Sequence, residues 1–516
     1  MYGRKAASKT VFQGWLFNFK TMYKSILIAL AALGIWSCES SDNDSEIQNS
    51  VGFTEIGEVR VGGAAAAEIT VFDVTTNKLF VVNNNKGSKV SVVNFEAPET
   101  MEVEQHLDFS SYGGVNSVAV KNGLLAVAVQ AQDKTDNGFV VLYDTANLNA
   151  PLAEIGVGAL PDMVTFSPDG KYIVTADEGE PNDDYSIDPL GTVSIIDTAA
   201  LTTTILDFSR FESQLQGLVA NGFRVFGPGA SLANDVEPEY ISINQASTTA
   251  WVALQENNGM ARIDLQTKTI TDIFPFGVKD FSEAGNVMDA SNEDGKVAFV
   301  NQPVKSFYQP DAITNFEVGG TTYILTANEG DIREYDGFNE ELRVKDLVLD
   351  SAEFPDAAQL QQDSNLGRLV VTNTLGDTDG DGDIDELYGF GARSFSIWNG
   401  ETGQLVVDYN MLEQDLYTAF PDRYDDNRSD DKGVEPEGIT VGTIDGVVYA
   451  FVGLERADAV LVYNVTNPIS PTFVKAIKTG NAPEGVLFIA AEDSPNKQDL
   501  LVVSSEDDGF VKVFGL

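Results

Sequence analysis

The densest run of oxygen ligands in the chain is Asp377-Thr378-Asp379-Gly380-Asp381-Gly382-Asp383-Ile384-Asp385-Glu386. Asp377, Asp379, Asp381, Asp383 and Asp385 stand at loop positions one, three, five, seven and nine, with Gly382 at the sharp turn of position six. Ile384 at position eight is free to pack inward. Hard carboxylate oxygens at this spacing suit calcium, ahead of magnesium, because calcium accepts many oxygens in irregular geometry. Tyr388 stands at position twelve in place of a bidentate Glu, so Asp385 or Glu386 must substitute. The bland alternative is a solvated acidic loop. The run lies inside a long insertion, so its expected role is to stiffen that insertion rather than to do chemistry.

A second set of acids recurs along the whole chain, each at the start of an alternating apolar stretch. The instances are Ala67-Glu68-Ile69-Thr70-Val71, Asn116-Ser117-Val118-Ala119-Val120, Pro161-Asp162-Met163-Val164, Pro238-Glu239-Tyr240-Ile241, Pro310-Asp311-Ala312-Ile313, Pro436-Glu437-Gly438-Ile439 and Pro483-Glu484-Gly485-Val486. From Ala67 through Asn116, Asp162, Glu239, Asp311 and Glu437 to Glu484 the spacings are 49, 46, 77, 72, 126 and 47 residues. The short spacings match one four-stranded blade, and the long ones a blade plus an insertion. Second and third apolar strands follow, as in Lys171-Tyr-Ile-Val-Thr and Gly191-Thr-Val-Ser-Ile-Ile-Asp. Period-2 alternation at blade-length repeat predicts an all-β chain: a seven-bladed β-propeller over 53–516 with insertions near 207–234, 276–309, 340–393 and 409–435. Phe208 to Asn221 carries apolar residues at helical spacing and is expected to pack on the rim.

The Pro-acid residues begin the innermost strand, so radial repetition points them at a shared central channel. The ends of the second strands crowd the same face with Asp177-Glu178-Gly179-Glu180, Gln255-Glu256-Asn257, Asn328-Glu329-Gly330-Asp331, Glu455-Arg456 and Glu506-Asp507-Asp508. Carboxylates gathered in one place either take up protons or are neutralised by a cation. Asp162, Glu178, Glu239, Asp311, Glu437 and Glu484 are therefore candidate ligands of a divalent ion at the channel mouth. The alternative reading makes each Pro-acid pair a turn signal. Arg333, Arg428, Lys432 and Arg456 are the few cations nearby; they either pair with these acids or clamp an anion such as phosphate.

The overall charge of −47 repels nucleic acid and anionic lipid headgroups, and nucleic-acid binding is excluded. The single Cys38 rules out an internal disulfide, and the single His106 rules out multi-histidine zinc sites. His106 reads as a surface strand residue rather than the base of a Ser-His-Asp triad. Ser25–Trp36 (SILIALAALGIW) after Lys24 is too short to span a bilayer but suits a signal-peptide core. Ser37-Cys38 resembles the cleavage box of a bacterial lipoprotein, with Cys38 the expected lipid attachment point. Residues 1–37 are read as the signal segment, with Met22 as the better start. Residues 38–52, opening Cys-Glu-Ser-Ser-Asp-Asn-Asp-Ser-Glu, are read as an acidic flexible tether. An acidic stretch here resembles the surface-export signal of Bacteroidetes lipoproteins. The expectation is an outer-membrane lipoprotein facing the cell surface or the periplasm, touching the membrane only through its lipid.

Longer motifs carry a family resemblance. Asp177-Glu-Gly-Glu-Pro-Asn-Asp-Asp, Tyr308-Gln-Pro-Asp-Ala-Ile, Ala327-Asn-Glu-Gly-Asp-Ile-Arg-Glu-Tyr and Arg428-Ser-Asp-Asp-Lys-Gly-Val-Glu-Pro-Glu-Gly are similar to choice-of-anchor I proteins from roughly residue 50 onward. That family is related to mesenchyme-specific cell surface glycoproteins and to atypical, phytase-like alkaline phosphatases. The resemblance implies an exported propeller, with calcium-dependent phosphoesterase activity as one expectation. Two functions stay open. One is a surface binding or adhesion module that holds calcium and meets an unknown extracellular ligand. The other is a calcium-dependent phosphoesterase acting on a phosphate ester, with Glu329 among the metal ligands and Arg333 or Arg428 stabilising developing charge.

Overall fold

A computed structural model describes residues 51–516. The expected signal segment, Cys38 and nearly all of the expected tether lie outside the described residues. Val51, inside the expected tether, is buried beside Phe53 in an apolar cluster with Phe451, Leu501 and Phe514.

Seven four-stranded antiparallel sheets make up the body. Blade 1 comprises Ala66–Asp73, Lys78–Asn83, Lys89–Asn94 and Glu102–Asp108, and blade 2 comprises Val115–Lys121, Leu124–Val129, Asn137–Asp144 and Ala153–Ala159. Blade 3 comprises Pro161–Phe166, Tyr172–Asp177, Thr192–Asp197 and Thr202–Asp207; blade 4 comprises Pro238–Ile243, Thr249–Leu254, Gly259–Asp264 and Thr269–Pro275. Blade 5 comprises Ile313–Val318, Thr321–Asn328, Ser394–Asn399 and Leu405–Tyr409; blade 6 comprises Pro436–Ile444, Val447–Leu454, Ala459–Asn464 and Thr472–Lys478. Blade 7 takes Pro483–Ile489, Leu500–Ser505 and Phe510–Gly515 from the end of the chain and Thr54–Arg60 from near its beginning. The first strand of each blade packs against the first strand of the next, and that of blade 7 against blade 1, which closes the ring. The early strand thus covers an edge that would otherwise expose unpaired backbone groups.

The core lies between the blades. Second strands such as Leu79–Val82, Leu125–Val129 and Leu500–Val503 are buried on both faces, as expected of central strands sandwiched between neighbouring sheets. Ser209–Gln214 forms a 3₁₀ turn and Leu215–Val219 a short helix. They bury Phe208, Phe211 and Leu218 against blades 3 and 4, where helical spacing placed them. His106 sits on the outer strand of blade 1, its Nδ1 3.1 Å from the Ser91 hydroxyl.

Strand direction decides where the insertions go. First strands begin, and second strands end, on the channel-mouth face, so every connection from a second to a third strand, or from blade to blade, returns there. All four insertions are connections of these kinds. Val278–Asp280, Lys305–Phe307 and Tyr388–Gly389 form a small sheet, and Glu341–Arg343 pairs with Val370–Thr372. These share a satellite core of Phe281, Met288, Val304, Val344, Leu366 and Val371. Among the described residues no helix is long and apolar enough to cross a membrane.

Candidate metal centre at the channel mouth

The local backbone explains why the acids face the channel. Register slips between Pro161 and Met163, Pro238 and Ile241, Pro436 and Ile439, and Pro483 and Val486, so Asp162, Glu239, Glu437 and Glu484 all fall in bulges. Leu160, Gln309, Glu435 and Ala482, each just before a proline, adopt left-handed φ values of 47°, 42°, 49° and 53°. A bulge frees its residue from the ladder and re-aims the side chain. Here it turns a strand-start acid onto the axis. Backbone bonds from Glu178 N to Leu160 O, Gly330 N to Gln309 O and Glu455 N to Glu435 O bring the second-strand ends beside these bulges.

The structure brings Asp162, Asp311 and Glu484 together around one cavity of about 60 Å³, which Asn116 and Tyr240 also line. Glu239 and Glu437 flank it; each is pushed well above the usual carboxylate range, first by burial and then by neighbouring acids that include Asp311. Burial and the Glu180 charge push Asp162 up to about 7, and burial with Glu506 and Asp162 pushes Glu68 up to about 8. Of the acids expected at the mouth, Asp162, Asp311 and Glu484 thus line one pocket.

Within the ring, one group is close enough to share an ion. Carboxylate oxygens of Glu178, Glu239 and Glu256 lie within 4.8 Å of one another. Glu239 and Glu256 are 7% and 4% exposed, and an oxygen of each is fully buried without a hydrogen-bond partner. Burial first, then neighbouring acids, drives all three well above the usual carboxylate range: Glu180 and Asp162 act most on Glu178, Glu256 and Glu178 on Glu239, and Glu237 and Asp331 on Glu256. An orphaned buried carboxylate oxygen is costly, and either a proton or a cation relieves it.

A second trio, Glu329, Glu435 and Glu455, meets the same distance criterion but is neutralised from within. Lys432 Nζ lies 3.2 Å from Glu329, 3.5 Å from Glu435 and 3.9 Å from Asp331. Arg428 and Arg456 also bind Glu435, and Arg456 reaches Glu455 at 2.6 Å. Burial opposes ionisation of Glu435, yet these three cations together hold its carboxyl below the usual range.

The candidate anion-binding arginines are similarly committed. Arg333 is 2% exposed in its side chain; Nη1 donates to Asp235 Oδ1 at 2.8 Å, Nη2 to Asp235 O at 2.7 Å and Nε to Glu237 Oε2 at 3.1 Å. Its guanidinium also covers the Phe226 ring. Arg428 pairs with Glu435 and, at 2.9 Å, with Asp431. Arg333 is thus fully committed to structural pairing, whereas Arg428 is held through Nε and Nη2. Glu329 accepts from Gln255 Nε2 at 2.9 Å and from Lys432. Asp235, Glu237 and Glu256 are not among the ligands expected from the sequence. The repeated tetrapeptide Val236-Glu237-Pro238-Glu239 and Val434-Glu435-Pro436-Glu437 was the available signal, since it places a second acid ahead of each proline.

The acidic loop forms a separate centre within the satellite. Asp377 accepts from Gly380 N at 2.7 Å and Gly382 N at 3.0 Å, and Ile384 bridges to Leu349. Asp377, Asp379 and Asp385 meet within 4.8 Å, and Asp385 meets Asp383 and Asp350 within the same span. Asp350 is a newcomer: the Leu349–Ile384 bridge delivers it. Asp381 joins neither group and accepts from Asp383 N at 3.2 Å. Glu386, one of two substitutes for the position-twelve ligand, is engaged by Lys305 at 2.7 Å and by the Tyr388 hydroxyl, which leaves Asp385.

Comparison with known proteins agrees with the resemblance in the motifs. A Strongylocentrotus purpuratus mesenchyme-specific cell surface glycoprotein is 26% identical over 299 residues, covering 49% of this chain and 38% of that protein. Gigasin-3a of Magallana gigas is 29% identical over 188 residues, covering 30% of this chain and 66% of that protein. The chain therefore spans less than two thirds of either relative. Among solved structures, a Kuenenia stuttgartiensis hydrazine synthase chain aligns over 90% of this chain and 99% of its own, with 14% identity and a TM-score of 0.49. The β-propeller domain of Myceliophteria thermophila Cps50 (Swd1) aligns over 90% and 100%, with 10% identity and a TM-score of 0.43. Residues 68–468 match the choice-of-anchor I domain, and the chain belongs to that family.

Proposed function

We propose that this protein is an exported, surface-anchored propeller whose channel mouth binds a divalent cation, calcium foremost, and that it serves as a binding or adhesion module. The observation that carries the reading is the Glu178–Glu239–Glu256 group, in which Glu239 and Glu256 each bury an oxygen with no hydrogen-bond partner. Three carboxylates without His or Cys are a calcium or magnesium ligand set. The loop centred on Asp377, Asp379 and Asp385 supplies a second, structural calcium site that braces the satellite. Surface placement follows from the choice-of-anchor I family and the name of its sea-urchin relative, with Cys38 as the lipid attachment point. Binding is favoured over phosphate-ester hydrolysis because the buried Arg333 guanidinium is taken up by Asp235, Glu237 and Tyr185 and has no donor to spare for a phosphoryl group.

Calcium titration of the full chain by calorimetry tests this. Wild type binds an ion that Glu239→Gln loses and a further ion that Asp379→Asn loses. Calcium binding unchanged in Glu239→Gln contradicts the mouth site. Loss of a palmitate-analogue label in Cys38→Ser checks the anchor.

A further inference from the structure

The two acidic trios are the same device built twice, two blades apart. The ends of the second strands in blades 3 and 5 correspond position for position, with Asp177 accepting from hydroxyls in one and Asn328 donating to them in the other. Thr175 Oγ1 donates to Asp177 Oδ1 at 2.7 Å, and Thr326 Oγ1 to Asn328 Oδ1 at 2.8 Å. Thr192 and Ser194 close on Asp177 as Ser394 and Ser396 close on Asn328. The next residues, Glu178 and Glu329, are therefore equivalent. Each faces a blade that begins Val-Glu-Pro-Glu, with Pro238 paired to Leu254 and Pro436 paired to Leu454; the acid in the turn beyond is Glu256, two residues past Leu254, in one copy and Glu455, one residue past Leu454, in the other. The third member differs. Arg333 takes Glu237 away in the first copy, so Glu239 completes that trio, whereas Glu435 completes the second.

What differs most is the counter-charge. Five residues before Glu437 stands Lys432, whose ammonium joins Arg428 and Arg456 on the second trio and alone reaches Glu329; five residues before Glu239 stands Asn234, whose amide donates to Asp188 O instead. Among the described residues no lysine or arginine pairs with Glu178, Glu239 or Glu256. Two of these three are more than nine-tenths buried and carry unpartnered oxygens. An ammonium and a divalent ion are alternative answers to one problem, clustered carboxylates removed from water.

We propose that Lys432 is a tethered stand-in for a metal ion, and that the first copy keeps the exchangeable cation that the lysine displaces in the second. The mouth then has one exchangeable site and one self-neutralised site. This inference rests on the cation-binding reading above but goes beyond it, because it assigns the ion to one copy and says how to create another.

The test is calcium stoichiometry of the full chain by equilibrium dialysis, in an Asp379→Asn/Asp385→Asn background that silences the loop. Failure of this background to bind calcium at the mouth overturns the binding reading itself. One ion bound in that background, two in Lys432→Met, and one again in Lys432→Met/Glu455→Gln is the expected pattern. One ion in a folded Lys432→Met overturns the stand-in assignment while leaving the binding reading intact. Should Lys432→Met not fold, single changes on the native lysine decide: Glu239→Gln loses the ion and Glu455→Gln keeps it. The reverse result places the ion in the second copy and overturns the inference.

Discussion

Replacing Arg333 with methionine removes the cation that pairs with both Asp235 and Glu237, at 2.8 Å to each. All three side chains are at most 2% exposed, so no water replaces the guanidinium. Asp235 keeps the donors Phe226 N, Gly227 N and Asn257 Nδ2. Glu237 relies on Arg333 for its side-chain partners and suffers most. Breaking a buried pair by removing one member costs about 3–5 kcal/mol. A body of this length has an unfolding entropy of roughly 1 kcal/mol/K, so Tm falls by about 3–5 °C. Glu237 is already pushed up to about 7 by burial, and the Arg333 charge is the strongest influence holding it down, so losing that charge drives the carboxyl to hold a proton. Calorimetry at neutral pH on Arg333→Met, Glu237→Gln and the double variant measures the effect. The double variant should recover about half of the loss, because only Asp235 then stays uncompensated. A double variant less stable than Arg333→Met, or a single variant as stable as wild type, refutes the argument and returns Arg333 to the set of free cations.

Burial pushes Glu413 up to about 7 from 4.5, with Asp289 adding to the rise and Arg393 opposing it. A raised folded pKa stabilises below the unfolded value and is lost as pH rises through the folded one, so wild type should lose about 3 kcal/mol between pH 4.5 and 7 that Glu413→Gln does not, read from denaturant midpoints. Deleting residues 51–60 uncovers the Phe510–Gly515 edge and removes the buried Phe53 and Val59, worth roughly 1.5–3 kcal/mol each, so the product should aggregate on size exclusion. Moving that stretch behind Leu516 by circular permutation should restore a monomeric melt. In the loop, Asp385→Asn should abolish the structural calcium and Asp381→Asn should leave it nearly intact, as terbium luminescence will tell, because only Asp385 belongs to both carboxylate groups.

Repetition made the architecture readable. Seven strand-start motifs at blade spacing were enough to count blades, and the acids at those starts do converge on one axis. What spacing could not convey is how each acid is compensated. Glu237 and Glu239 are two residues apart, yet one is bound by Arg333 from blade 5 and the other faces two carboxylates, an outcome set by packing across 96 residues of sequence. Asp350 joined the loop only through a bridge to Ile384, which no local pattern announces. The closing strand is equally non-local: Thr54–Arg60 finds its partner at the far end of the chain because an open blade edge demands one.

The most direct measurement is anomalous diffraction from crystals of the full chain equilibrated with terbium as a calcium substitute. A peak within bonding distance of the Glu178, Glu239 and Glu256 oxygens, with none beside the Lys432 ammonium, is the predicted map. A mouth that stays featureless while the Asp377–Asp385 loop is fully loaded contradicts the account.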